Sequence, residues 1–422
     1  MDSSNIKVSV VIPCYNAMPW LTSMLDSVLA QTLSPIEIIC VDDGSTDNTL
    51  DVLREYEQKQ GIIVISQQNL YAGVARNSGM AIAKGDYITF WDADDLYHAD
   101  YLSTMYGLII SEEADIAVCQ GYDLDTKSNV TTKKYNINFD LTEGEKVINR
   151  QKASRLFQVY NLAPWNKLFR LGFLKENELL FSDSMKSNDL TLDLQSKVLA
   201  KRIALTEKRL FTRRSHIDTS ITNRMDEYPY SSYYECLKVK KFLEAEKLLH
   251  ELEETFQICC FDCMEHMIRM LKDKKIIQEV WQFIQDSYIT TFGLDRLKDE
   301  GSSKTIKVYK MPYEDVVKKA RLNDRSVVFY GAGFKMLDIL NKYYDGGESW
   351  GDCHIWDANK DITELRGIKV SLPILEHKAP GIDTIIVTVV DTKIKEELVF
   401  SFKELGYQVY DSLEHYVLSQ KD

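Results

Sequence analysis

The chain has 422 residues, of which 45% are hydrophobic and 27% charged, values that exclude a disordered or low-complexity protein. The length predicts two or three domains, and the formal net charge of −13 disfavours binding to nucleic-acid phosphates. The eight cysteines are dispersed, which is typical of reduced thiols. No apolar run reaches the roughly 18–20 residues that cross a bilayer, and MDSSNIKVSV lacks the layout of a signal peptide, so we expect a cytoplasmic protein.

Short β-branched runs alternate with amphipathic stretches over the first 120 residues. The pattern predicts strands at 7–12, 36–41, 62–66, 87–91 and 116–120, and helices near 18–31, 46–59, 72–83 and 99–112. Such alternation is typical of parallel strands joined by helical crossovers, so the predicted class is α/β.

The remaining chain divides by pattern into two further parts. Apolar residues recur at helical spacing from 232 to 288, which predicts a helical segment over 226–300. DEGSSK at 299–304 is typical of a linker, and alternating strands and helices resume after it. We therefore predict three units: 1–225, a helical segment at 226–300, and a smaller Rossmann-like α/β domain at 301–422.

A glycine turn follows VVFY in this last unit. Gly331-Ala332-Gly333 precedes a helical pattern, and Asp357 ends the next strand, as in a dinucleotide-binding turn. Met336 stands where the third glycine would be, and its bulk should push the helix from the strand. No NAD is therefore expected, and the ligand of this domain stays open.

Acidic residues follow the second and fourth predicted strands. Asp42 and Asp43 open the turn DDGSTD, where they either contact a base or ribose or serve only the turn. Asp92 and Asp94 of WDADD should project to the same side if the backbone is extended. Paired carboxylates favour a divalent cation, although Asp95 and its neighbours could also form a solvated acidic loop. Both clusters fall at carboxyl ends of one sheet, which predicts a metal-bound nucleotide.

Five segments in this order resemble the family-two inverting glycosyltransferases, which have the nucleotide-sugar-binding fold called GT-A. They are VSVVIPCYNAMPWL, VDDGSTDNT, GVARNSGMAIAKGDYITFWDADD, PWNKLF and SND. The resemblance covers about the first 220 residues. It implies a metal-dependent enzyme that moves a sugar from a nucleoside diphosphate sugar, with a UDP-sugar as the expected donor, to an acceptor hydroxyl.

The resemblance also implies roles for individual residues. Donor binding would fall to Pro13, Tyr15, Asn16, Asp43, Arg76 and Asp92, and Asp94 would ligate Mn²⁺ or Mg²⁺. The family's Glu-Asp pair falls on Asn188-Asp189, so Asp189 is the expected general base. From the residues alone, the favoured interpretation of Asp189 is an acid that serves the start of a helix.

Other candidates rest on weaker signals. Trp165 could stack on a sugar or pack in the core, and Lys167 could bind hydroxyls or phosphate. The basic stretch 197–214 is either a solvated face or a binding surface. As a binding surface it would contact the diphosphate or an anionic, lipid-linked acceptor. An acceptor of that kind would bring the protein to the inner face of a membrane as a peripheral protein. The resemblance places Arg213 or Arg214 near the donor without choosing between them.

The biological role implied by the resemblance is synthesis of a surface polysaccharide or glycoconjugate. Two alternatives remain at this point. A sugar nucleotidyltransferase shares the general fold but should carry a glycine-rich basic loop after the first strand, which PCYNAMPW is not. A scaffold protein that binds nucleotide sugars without turnover would not need the intact Asp92, Asp94 and Asp189. The sugar, the acceptor, the linkage and the oligomeric state stay open.

Overall fold

The protein is described here from a computed structural model, which divides the chain into two compact units, residues 1–260 and 261–422. The described residues are 6–134, 136–215, 221–298, 306–307, 309–312, 327–330, 354–356, 364–365, 368–371, 384–387, 402–405 and 407–410. The predicted three-part division of the chain stays a prediction.

The first unit is built on a mixed sheet whose path runs in the order β3-β2-β1-β4-β9-β6-β10-β5, with β7 paired to β6 and β8 to β10. The strands are β1 Val8–Cys14, β2 Ile36–Asp42, β3 Ile63–Ser66, β4 Tyr87–Phe90, β5 Leu96–Tyr97, β6 Ile116–Asp125, β7 Val130–Lys134, β8 Val147–Ile148, β9 Lys167–Arg170 and β10 Ile203–Ser215.

The predicted parallel strands and crossover helices are confirmed. Strand β1 pairs in parallel with both β2 and β4, and β2 pairs in parallel with β3. Nearly every residue of β1 is buried, because helices cover both faces of a parallel sheet. The crossover helices are α1 Leu21–Leu29, α2 Thr49–Gln60, α3 Tyr71–Ile82 and α4 Tyr101–Ser111.

The sequence did not predict the antiparallel strand β9. This four-residue strand lies between β4 and β6 and pairs antiparallel with both, which makes the sheet mixed. A run as short as KLFR carries no periodicity that separates a strand from a loop. The segment PWN, which carries Trp165, comes directly before this strand.

Six further α-helices occur among the described residues after β9, and those from α7 onward confirm the helical spacing that the sequence showed over 232–288. They are α5 Leu171–Glu176, α6 Leu190–Leu199, α7 Ser231–Ala245, α8 Glu253–Met270, α9 Lys274–Phe283 and α10 Ile289–Phe292, with one π-helical turn at Ile284–Tyr288. Helix α7 lies in the first unit, and α8 crosses the boundary between the units.

The second unit contains a six-stranded sheet in the order β13-β14-β12-β11-β15-β16. Its strands are β11 Val327–Tyr330, β12 His354–Trp356, β13 Glu364–Leu365, β14 Ile368–Ser371, β15 Thr384–Val387 and β16 Gln408–Tyr410. All pairings are parallel except that of β13 with β14. Gly331, Gly333, Met336 and Asp357 lie outside the described residues, so the Rossmann-like assignment stays a prediction.

Two absences hold for the described part of the chain. None of its helices is both long and apolar enough to span a bilayer. None of its cysteines forms a disulfide bond.

Candidate active site

Three carboxylates gather in the turn that follows β4. Single oxygen atoms of Asp92, Asp94 and Asp95 all lie within 4.8 Å of one another. The backbone amide of Asp95 donates to the carbonyl of Asp92 at 3.3 Å, so the segment is a turn. The expected extended backbone is therefore wrong for residues 92–95, whereas the expected convergence of the carboxylates is confirmed.

This cluster resists full ionisation in the absence of a cation. Burial and the neighbouring Asp92 carboxylate raise the pKa of Asp94 to about 6. Burial, followed by the charge of Asp94, also holds the pKa of Asp95 well above its ordinary value. Oxygen ligands at this spacing suit Mg²⁺ or Mn²⁺, whose charge would offset the mutual repulsion, so the residues fit the predicted metal.

The two arginines at the end of β10 have different environments. Arg214 is buried: its Nη1 donates to the carbonyl of Asp94 at 2.7 Å, and its backbone amide donates to Oδ1 of Asp95 at 2.9 Å. Arg213 is half-exposed and pairs with Asp123 at 3.6 Å. Arg214 therefore holds the acidic turn in shape, while the charges of both arginines oppose the rise in the pKa of Asp94.

The loop after β1 is tied to the loop after β2 through Asn16. Its backbone has a positive φ of 47°, and its side-chain oxygen accepts a hydrogen bond from the amide of Thr46 at 2.8 Å. Its own amide donates to the hydroxyl of Ser45 at 3.0 Å. Tyr15, beside it, leaves 48% of its surface exposed, and Pro13 is half-buried in β1. Pro13, Tyr15 and Asn16, which the resemblance assigns to donor binding, thus lie together at the carboxyl end of β1.

Asp42, the last residue of β2, and Asp43, which follows it, are both buried and hydrogen-bonded. Oδ1 of Asp43 accepts from Nε2 of Gln67 at 2.8 Å and from the amide of Leu70 at 2.9 Å. Asp42 accepts from the hydroxyl of Ser66 at 3.3 Å. Gly44 follows with a φ of 75°, and a Cβ there would lie 2.9 Å from the amide nitrogen of Asn69. Oδ1 of Asp42 also accepts from the backbone amide of Ser45 in the turn at 3.4 Å. The predicted contacts of Asp42 and Asp43 with a base or ribose stay predictions.

Arg76 of α3 connects the acidic turn to the segment that carries the predicted base. Its Nη2 donates to Oδ1 of Asp92 at 2.7 Å, and its Nη1 donates to Oδ1 of Asn188 at 3.0 Å. The guanidinium also lies over the ring of Phe181, 5.2 Å from its centroid. One buried cation thus joins the acidic turn to the segment that carries Asp189.

Asp189 stands at the N-terminal end of α6 and makes no side-chain capping hydrogen bond there. The interpretation of Asp189 as an acid that accepts hydrogen bonds from the first amides of the helix is therefore wrong. Burial raises the pKa of its carboxyl to about 6, and the positive charge of Arg76 opposes that rise. A carboxylate with a pKa raised to about 6 that is not used to cap its helix is suited to accept a proton.

Trp165 and Lys167 are buried, so their side chains are not accessible to a ligand. Trp165 is only 7% exposed and packs against Phe211, with ring centroids 4.6 Å apart. The ammonium of Lys167 is fully buried and pairs with Asp193 at 3.0 Å, and burial lowers the pKa of Lys167 to about 8. Neither position supports the predicted contact with sugar or phosphate.

Several residues that shape the site carried no recognisable signal in the sequence. Gln67 holds Asp43, Asp193 holds two buried lysines, and Glu235 accepts hydrogen bonds from the loop before α6. Each is a single polar residue with a partner distant in the chain: Gln67 and Asp43 are 24 positions apart, Asp193 and Lys167 are 26 apart, and Glu235 and Ser182 are 53 apart. Only the three-dimensional contacts reveal these roles.

This chain has a mixed parallel and antiparallel sheet, crossover helices between its parallel strands, and an acidic turn after β4. These features are those of the GT-A class of α/β fold. A family model described as "Glycosyl transferase family 2" matches residues 9–177. Glycosyltransferase GlyG of Streptococcus pneumoniae is 30% identical over 227 residues, which are 52% of this chain and 74% of that protein. The chain belongs to glycosyl transferase family 2.

Other similar proteins differ more in length or in sequence. Poly(ribitol-phosphate) beta-glucosyltransferase of Bacillus spizizenii is 32% identical over 209 residues, 48% of this chain and 31% of that protein. The chain spans less than a third of the length of the first curated relatives it matches. A crystal structure of Staphylococcus aureus TarS 1–349 in complex with UDP-GlcNAc has a TM-score of 0.47 and 17% identity, covering 72% of this chain and 92% of that one.

Proposed function

We propose that this protein is an inverting glycosyltransferase that uses a nucleoside diphosphate sugar, with a UDP-sugar as donor. The acceptor is a hydroxyl of a saccharide or lipid-linked molecule in polysaccharide or glycoconjugate synthesis. The hydrogen bonds from Arg76 to Asp92 and Asn188 carry the proposal, because they connect a cluster of carboxylates suited to a metal ion with the segment of the candidate base. Relatives named for glucosyl transfer to poly(ribitol-phosphate) agree with a polymer acceptor.

In the proposed reaction, Asp189 takes the proton of the acceptor hydroxyl as the acceptor oxygen bonds to the anomeric carbon. The bond from that carbon to the β-phosphate oxygen breaks, and the nucleoside diphosphate leaves with the bonding electron pair. Asp94, with Asp92 and Asp95, would hold a divalent cation that stabilises the charge of the diphosphate. Pro13, Tyr15, Asn16 and Asp43 would hold the base, and Arg76 would fix Asp92 and the Asp189 loop.

Release of nucleoside diphosphate from a panel of nucleotide sugars, with Mn²⁺ or Mg²⁺ and candidate acceptors, tests this function. We expect release with at least one donor, loss of release in Asp94→Ala and Asp189→Asn, and an inverted anomeric configuration by NMR. Donor binding without turnover by any donor and acceptor would instead support the scaffold alternative. Formation of a nucleotide sugar from a nucleoside triphosphate would support a nucleotidyltransferase.

A further inference from the structure

Glu235 on α7 is a buried carboxylate that accepts hydrogen bonds from four side chains. Thr191 Oγ1 donates to Oε2 at 2.6 Å, and Ser182 Oγ donates to Oε1 at 2.7 Å. Oε1 also accepts from the hydroxyl of Ser184 and, at 2.9 Å, from Nζ of Lys238. Such a set compensates the desolvation of a charge that is otherwise costly to bury.

The three hydroxyl residues that donate to Glu235 flank Asp189 in the sequence. Ser182 and Ser184 precede it in the loop, and Thr191 follows it in the first turn of α6. The backbone amide of Ser182 also donates to the carbonyl of Asn188 at 2.9 Å, which closes the loop on itself. One carboxylate thus holds both ends of the segment that presents the candidate base.

The same segment is packed tightly against α3. A Cβ added to Gly73 would lie 2.0 Å from the carbonyl oxygen of Ser182 and 3.0 Å from Cβ of Asn188. Ser187, two residues before Asp189, has a φ of 56°, a conformation that non-glycine residues seldom adopt. Such backbone persists where the surroundings over-determine it, and Glu235 binds Ser184 before Ser187 and Thr191 after it.

We infer that Glu235 is a positioning residue that fixes the loop 182–191, and with it the Asp189 carboxylate, for proton abstraction. This inference rests on the proposed function. The residue lies on α7, beyond the motif segments, which gives this helix a part in the chemistry of the sheet domain. Glu235 acts through the loop and touches neither donor nor acceptor.

The first test compares Glu235→Gln with wild type in donor turnover at saturating acceptor. The amide keeps the volume but removes the charge and turns one acceptor into a donor that faces a hydroxyl. We expect kcat to fall by about 10- to 100-fold, the loss that a misplacement of about 1 Å can cause, with an unchanged KM for the donor. Glu244→Gln on the same helix is the control, since its side chain is 51% exposed, and it should behave as wild type.

A purely structural role for Glu235 would give a different pattern. We expect Glu235→Gln to have no further effect in the Asp189→Asn background, because a base that is absent cannot be misplaced. A folded Glu235→Gln variant with wild-type kcat, or an equal loss of rate in the Asp189→Asn background, overturns the inference.

A second pair of variants guards against misfolding of Glu235→Gln. Thr191→Val removes one hydroxyl from the carboxylate at constant shape, and Thr191→Ser restores it. We expect a lower kcat in the valine variant and its recovery in the serine variant; equal kcat in both overturns the inference. Absence of donor turnover by the wild-type protein would instead count against the proposed function alone.

Discussion

Arg76 donates from Nη1 to Oδ1 of Asn188 at 3.0 Å, although the two residues are 112 positions apart in the chain. The other amino group of the same guanidinium donates to Asp92 at 2.7 Å. The planar fork of arginine can make both hydrogen bonds at once, whereas an ammonium is a single point charge. The acidic turn and the Asp189 loop are therefore held in register by the shape of one side chain.

Replacing Arg76 with lysine should impair catalysis more than folding. The charge remains, but one of the two hydrogen bonds is lost, so we expect kcat/KM to fall by about 100-fold. The control is Arg54→Lys, since Arg54 makes an exposed pair with Glu57 at 2.7 Å. Steady-state kinetics of both variants provide the measurement, and wild-type kcat/KM in Arg76→Lys would refute the connecting role.

The rate should depend on pH through Asp189. Only the ionised carboxylate accepts a proton, and its pKa is raised to about 6, so kcat should rise with pH through a midpoint near 6. Asp189→Asn should lose this limb and slow the reaction by about 10²- to 10⁴-fold. Profiles of kcat at saturating Mn²⁺ and donor test this. A limb that survives in Asp189→Asn would point to another base.

Asn188→Asp should move the same limb to higher pH. The new carboxylate would compete with Asp189 for the positive charge of Arg76 and would itself repel a second negative charge. Both effects raise the pKa of Asp189. Because aspartate matches asparagine in shape, the hydrogen bond from Arg76 should be retained. An unchanged midpoint, measured beside the wild type in the same buffers, would show that Arg76 does not influence the base.

Asp95→Asn should stabilise the protein without metal and weaken its response to metal. Three carboxylates within 4.8 Å repel one another, and the amide oxygen can still accept the hydrogen bond from the backbone amide of Arg214. We expect a higher Tm than wild type in EDTA and a smaller rise in Tm on adding Mn²⁺. Thermal unfolding with and without Mn²⁺ measures both. An equal rise in both proteins would exclude Asp95 from the metal site.

The periodic elements of the sheet domain could be predicted from sequence because their signals are local. Strands β1 to β4 are short apolar runs, and α1 to α4 are amphipathic, so their positions agree with the prediction to within a few residues. Strand β9 could not be predicted, since its four residues become a strand only between β4 and β6. Pairing in that position depends on tertiary structure.

The site shows the same division between local and long-range information. Acids at strand ends carry a recognisable pattern, which identified Asp92 and Asp94 as candidates, whereas Asp189 was identified through the resemblance to the family. The motifs could not show that Lys167 forms a buried ion pair with Asp193. They also could not show that Glu235 accepts hydrogen bonds from the loop that precedes α6. Those contacts join residues 26 to 53 positions apart, and nothing local in the sequence specifies them.

The buried group of Lys167, Asp193 and Lys197 predicts an ordered pair of stability changes. Asp193 lies 3.0 Å from Nζ of Lys167 and 2.9 Å from Nζ of Lys197, so two cations share one anion. Asp193→Asn leaves both cations unpaired and should cost about 3–5 kcal/mol of unfolding free energy. Lys167→Met leaves a neutral Asp193–Lys197 pair and should cost less. Denaturant unfolding of both variants tests the order, and the reverse order would show that the ammonium of Lys167 matters more to the fold than its partner.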